Sequence, residues 1–195
     1  MSTLPETECA TGLITYKARK VYSFSGLLGM KYIYTFLCLF LLSGVGYAGD
    51  YFNANEQGVA IDGFDPVAYF ELKKAVRGSD VHQTSWQGAT WYFSNEEHKK
   101  MFLTDPKRFA PKYGGWCAMA MTGGQVVEVD FENSWTADVS GLYFNVNKDV
   151  RLRWLRGYNR NVKKGNEKWP ETRLSIEEGR ATIHRRALMP SYYNE

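Results

Sequence analysis

Residues 81–103, VHQTSWQGATWYFSNEEHKKMFL, change period part-way along. Residues 81–86 alternate in the manner of a strand, Gln87-Gly88 supplies a turn, and residues 89–93 return as a second strand. Ser94 then reads as an N-cap with Glu97 three residues on, a capping box. The helix it predicts covers residues 95–103 and carries His98, Met101 and Phe102 along one side. A hairpin feeding directly into a helix predicts an α+β fold. The expected architecture is a small antiparallel sheet of hairpins, short helices packed around it, and a C-terminal helix.

Toward the N-terminus, Val59-Ala60-Ile61 is a short strand candidate ended by Asp62-Gly63. Asp65-Pro66 caps and starts a helical turn over residues 67–71, with Pro at the first helical position. Residues 49–57 read as a tail. Toward the C-terminus, Asp105-Pro106 starts a short helix through Tyr113, which Gly114-Gly115 breaks. Residues 126–131 form a strand candidate. Residues 135–139 and 142–146 form a second hairpin around Ser140-Gly141. Residues 149–161 read as a helix with Val150, Trp154 and Leu155 on its apolar side. Residues 171–195 lack a period and read as a basic tail.

A chain of 195 residues that is 44% hydrophobic and 15% aromatic has the length and composition for one packed domain with an appendage. Its net charge of +3 gives no argument for nucleic acid. The charge is uneven: residues 49–150 carry 9 basic and 14 acidic side chains, and residues 151–195 carry 11 and 5. The basic helix is expected to dock on the acidic body.

Residues 32–45 are a charge-free apolar run behind Lys31, ending in the small residues of Gly46-Tyr47-Ala48. This is the order of a secretory signal, and the run is shorter than the roughly 20 residues that span a bilayer. Met30-Lys31 is itself a signal-like start, so residues 1–48 are expected to be an N-terminal extension plus signal peptide. Export to the periplasm or exterior follows, with no stable membrane insertion after cleavage; the alternative is anchoring by an uncleaved segment. Cleavage removes Cys9 and Cys38 and leaves Cys117 as the one thiol, so the exported domain has no internal disulfide.

That thiol lies in residues 112–121, KYGGWCAMAM. With Met119 and Met121 it offers soft donors suited to Cu(I). A helix brings Cys117 and Met121 onto one face, and an extended chain aligns all three sulfurs. Free cysteine is equally a common buried residue, and Met a common filler of core gaps. A catalytic thiol requires a depressed pKa, and no CxxC partner is present. The aromatics Trp86, Trp91, Tyr92, Phe93, Trp116 and Trp135 form a core or wall a pocket for an apolar ligand.

Several stretches together resemble the YHS domain family in its secreted single-domain form: GFDPVAYF at 63–70, WYFS at 91–94, DPKRF at 105–109, YGGWCA at 113–118 and LYFN at 142–145. Trp169-Pro170 matches the family's usual ending, so the resemblance covers residues 59–170. It implies a small α+β domain of residues 49–170 associated with metal, copper in particular. In the metal-binding versions three cysteines stand where this chain has Ala68, Ser94 and His98. Only His98 of these keeps a side chain suited to ligation; the spacing alone makes it a boundary residue of an amphipathic helix. The secreted branch includes selenoproteins, which the resemblance connects with the Cys117 segment.

The functional expectation is a non-enzymatic domain binding a soft metal, copper first, through Cys117 with Met121, His98 or Met119. Its partner would be the metal ion or a metal-handling protein. The alternatives are a single-thiol redox protein, and a structural, interaction or apolar-ligand module without metal.

Overall fold

The computed structural model describes residues 51–186. The apolar run at 32–45, its cut site, Cys9 and Cys38 lie outside the described residues, as does the end of the basic segment. The fold is α+β, built from two antiparallel hairpins, one short parallel pairing, short helices and a long C-terminal helix.

Helix α1, Ala68–Glu71, follows the Asp65-Pro66 cap. Strands β1, Ser79–Trp86, and β2, Ala89–Phe93, form the first hairpin, with Thr84 opposite Trp91 and Trp86 opposite Ala89. Strand β2 shows its period in its burial: Ala89, Trp91 and Phe93 face inward while Thr90 and Tyr92 are half-buried. Helix α2, Glu96–Thr104, then packs His98 and Phe102 inward. Its cap is Asn95, whose Oδ1 accepts from the His98 N–H at 2.8 Å. Ser94 is not the cap that its spacing suggests, because its hydroxyl is taken by a carboxylate from another segment.

Helix α3, Pro106–Phe109, is capped by Asp105 and stops four residues before the expected Tyr113. A 3₁₀ turn, Lys112–Gly115, follows, with Tyr113 at φ 56° and Gly114 at φ 62°. A Cβ at Gly114 would lie 2.5 Å from the Tyr51 carbonyl oxygen, so that position requires glycine on two counts. Helix α4, Ala118–Met121, comes next, then β3, Val126–Val127. Strands β4, Trp135–Asp138, and β5, Gly141–Phe144, form the second hairpin. Helix α5, Lys148–Arg156, is capped by Asn147. Helix α6, Tyr158–Glu177, follows, and β6, Ile183–His184, pairs in parallel with β3.

Four further local expectations are corrected. Residues 49–57 include no free tail at Tyr51 and Phe52, which are buried and join the core. The Asn53 N–H donates to the Gly114 carbonyl at 2.7 Å and Trp116 Nε1 donates to the Tyr51 carbonyl at 2.9 Å, so this segment is locked to the glycine corner. The expected helix at 149–161 is broken at Gly157, where the Asn161 amide donates to the Trp154 carbonyl at 2.8 Å. Helix α6 then runs through Pro170 and seven residues into the expected tail. Proline removes one N–H from a helix interior, and here the carbonyl it leaves unpaired belongs to exposed Asn166. Trp169 beside it is held against Tyr51 and Tyr113, with ring centroids 5.8 and 6.0 Å apart. The strand expected at 126–131 keeps regular pairing only at Val126–Val127, since Asp130 closes an Asx turn onto the N–H groups of Glu132 and Asn133.

The interior holds two clusters. One gathers Ile61, Tyr69, Trp91, Phe93, Phe102 and Phe144. The other gathers Tyr113, Trp116, Met121, Val126, Tyr143 and Trp154. No helix among the described residues is long and apolar enough to cross a membrane.

Candidate functional site

Cys117 lies at the start of α4 with 0% of its surface exposed. Its N–H donates to the Val127 carbonyl at 3.0 Å, and its carbonyl accepts from the Met121 N–H at 3.0 Å. Both backbone groups therefore belong to the fold's own hydrogen bonding. Its Sγ makes a long contact of 3.9 Å to Asn145 Oδ1, an oxygen that also accepts from the Met119 N–H at 3.3 Å. Burial pushes the thiol pKa up, and the nearby peptide N–H groups of Ala120, Val146 and Met119 pull it down by less. The group is thus a protonated, enclosed thiol at neutral pH.

The three sulfur-bearing side chains divide between the two core clusters. Cys117 packs in the cluster of Trp91 and Phe144, whereas Met121, also fully buried, packs in that of Trp154. Met119 is half-buried and touches both. Asn145, which the sulfur contacts, carries an unpaired buried atom, Nδ2, and Ser134 Oγ is likewise buried and unpaired. Their residues are joined by an Asn145 N–H to Ser134 carbonyl bond of 2.8 Å.

His98 is held elsewhere. Its Nδ1 lies 2.6 Å from Oδ2 of Asp65, whose side chain is fully buried. A carboxylate oxygen here accepts, so Nδ1 carries the proton. The same Oδ2 accepts from the Ser94 N–H at 2.9 Å and the Ser94 hydroxyl at 2.7 Å. Oδ1 accepts from the N–H groups of Val67 at 2.9 Å and Ala68 at 3.2 Å. One carboxylate thus joins the start of α1, the end of β2 and the first turn of α2 through five donors.

Ala68, Ser94 and His98 are the three positions at which the family resemblance implies metal ligands, and they converge on this carboxylate. What they present is a peptide N–H, a peptide N–H with a hydroxyl, and an imidazole N–H. Donors aimed inward suit an anion, so the residues present do not fit a cation at that point. Among the described residues, no group of three or more His, Cys, Asp or Glu is placed to hold a metal ion. Asp65 is the residue that spacing alone undervalued: its capping role was legible, its second oxygen was not.

The remaining histidines are peripheral. His82 Nδ1 lies 3.4 Å from Glu96 Oε2 at the surface, and His184 sits in β6. Of the aromatics, Trp91, Phe93 and Trp116 are core, while Trp86 and Trp135 are half-buried. No family model matches the chain, and no curated protein or solved structure matches it.

Proposed function

We propose that the described domain is a non-catalytic binding module without a metal, in which Cys117 is a core thiol. The observation that carries this reading is the enclosure of Cys117: no surface exposed, its backbone in the fold's own hydrogen bonds, and its pKa raised by burial. A metal ligand or redox nucleophile works as a thiolate within reach of its reaction partner. The Asp65 network supports the same reading, because it engages His98 Nδ1 with a carboxylate.

The test uses the full chain with Cys9 and Cys38 replaced by serine, compared with the same chain also carrying Cys117→Ala. Both are expected to bind Cu(I) alike, and native Cys117 is expected to react with a thiol reagent only as fast as the protein opens. A one-to-one Cu(I) affinity tenfold or more higher with Cys117 present would restore the soft-metal reading. Rapid reaction of the native thiol at neutral pH would restore the redox one. If Cys117→Ala fails to fold, Cys117→Val and the thiol kinetics of the unsubstituted site still decide.

A further inference from the structure

A cleft opens where the N-terminal segment, the β1–β2 turn, the 3₁₀ corner and α6 meet. Its volume is about 370 Å³, within the range of small-molecule sites. Tyr51, Phe52, Trp86 and Trp169 supply aromatic wall, and the cationic side chains are Lys107, Lys112 and Arg173. Among the described residues, no Asp or Glu lines it.

Its polar groups are held in place before anything binds. Gln87 accepts from the Tyr51 hydroxyl, and Asn166 accepts from the Tyr113 hydroxyl at 3.1 Å. Arg173 lies over the Tyr51 ring, 4.1 Å from its centroid, and pairs with Glu177 at 2.8 Å. The Lys112 stem is packed on Gly141: a Cβ there would sit 2.4 Å from Lys112 Cε. Among the described residues, neither Lys107 nor Lys112 is in an ion pair with a carboxylate.

Both lysines also line a neighbouring, larger cleft of about 720 Å³ at the β4–β5 turn. The two carboxylates there are already engaged. Glu71 pairs with Arg108 at 3.6 Å, and Asp138 accepts from the Tyr158 hydroxyl at 2.6 Å and from the Ser140 N–H at 2.8 Å. Lys107 and Lys112 therefore stand at the junction of an aromatic slot and a second cleft, and among the described residues neither is in an ion pair.

We infer that this junction is a binding site for a small ring-bearing organic anion. The ring lies against Trp86 and Trp169, and the carboxylate or phosphate sits between the ammonium groups of Lys107 and Lys112. This rests on the reading of the domain as a binding module and gives that module its ligand class. Aromatic wall supplies apolar contact for a flat ring, and paired cations supply charge-assisted hydrogen bonds for its acidic group.

The probes are phenyl phosphate and benzoate, which carry both features, beside inorganic phosphate and benzyl alcohol, which carry one each. The readout is tryptophan fluorescence and the indole N–H shifts of Trp86 and Trp169 in the full chain. One or both ring anions should saturate at or below about 1 mM, with each single-feature probe about tenfold weaker or more. Lys112→Met keeps the packed stem and removes the charge; with Lys107→Met it should weaken the ring anion about tenfold or more, and added salt should weaken the wild type. No saturation by either ring anion, equal binding of benzyl alcohol, or no effect of the two lysine changes in a folded variant overturns the site. The two readings fail separately. Cu(I) bound at Cys117 with the ring anion still saturating refutes the metal-free reading alone, and an inert Cys117 with no ring-anion binding refutes the cleft alone.

Discussion

Replacing Asp65 by alanine removes one acceptor and leaves five donors without their partner in a region closed to water. Asp65 is fully buried, so solvent screening does not discount the interaction. A hydrogen bond to a charged group contributes about 1.5–3 kcal/mol, but five to one carboxylate do not add. Breaking a buried pair by removing one member costs about 3–5 kcal/mol, and the orphaned N–H groups of Val67, Ala68 and Ser94 place the loss at the upper end of that range. The expected cost is about 4–5 kcal/mol, against a total stability of about 5–15 kcal/mol for a domain of this kind. Urea unfolding should show a midpoint lowered by about 2 M if the slope is near 2 kcal/mol per molar. Asp65→Asn keeps the shape but turns an amide NH₂ toward donors, and should cost about 2–3 kcal/mol. His98→Ala, which removes one donor and leaves four, should cost about 1.5–3 kcal/mol, with a coupling to Asp65 of similar size. A loss below about 1 kcal/mol for Asp65→Ala would refute the claim that this carboxylate joins the three segments.

Gly165→Ala places a Cβ 2.5 Å from Tyr113 Oη and 2.7 Å from its Cζ, on a ring held by Asn166 and the Val162 carbonyl. The helix-propensity gain of about 1 kcal/mol is outweighed by overpacking, so thermal unfolding should show a net loss of about 1–2 kcal/mol; a raised melting temperature would contradict this. Tyr69, buried with its hydroxyl donating to the Phe131 carbonyl at 2.8 Å, has its pKa pushed well above the ordinary phenol value by burial. A raised folded-state pKa gives stability that is full below the unfolded value near 10 and lost as pH rises beyond it, by up to about 1.4 kcal/mol per pH unit. Tyr69→Phe should shallow the alkaline slope by about that amount while costing about 1 kcal/mol at neutral pH; an unchanged slope between wild type and variant would contradict the burial argument.

What the sequence disclosed follows the range of the interactions. Both hairpins were legible because period 2 and a glycine turn are local signals, and β1–β2 and β4–β5 form at those positions. The helix cap was misplaced by one residue because Ser94 is captured by a carboxylate 29 positions away. Nothing near residue 126 announces that its strand partner is Ile183, and nothing in a polar period around Pro170 announces that Trp169 is pinned by Tyr51 and Tyr113. At the candidate site the same division holds. The residue types at Cys117, Met119 and Met121 were legible, but whether their sulfurs meet depends on which of two core clusters each enters, a property of tertiary packing.

The Asp65 network ties three segments of the chain through one buried carboxylate. A metal held by thiolates ties segments together with a central positive charge and negative ligands. Here the centre is negative and the surrounding groups are donors: two peptide N–H groups from the start of α1, two donors from Ser94, one from His98. Three points in the chain are tied, with the polarity opposite to that of a thiolate-held metal. The donor from Ala68 is its backbone, so alanine there forfeits nothing, whereas a thiolate at position 68 would add a second negative charge beside a buried carboxylate. Cysteines placed at 68, 94 and 98 would have to ionise beside a buried carboxylate to hold a metal, so a metal would be admitted there only if Asp65 were also replaced by a neutral side chain.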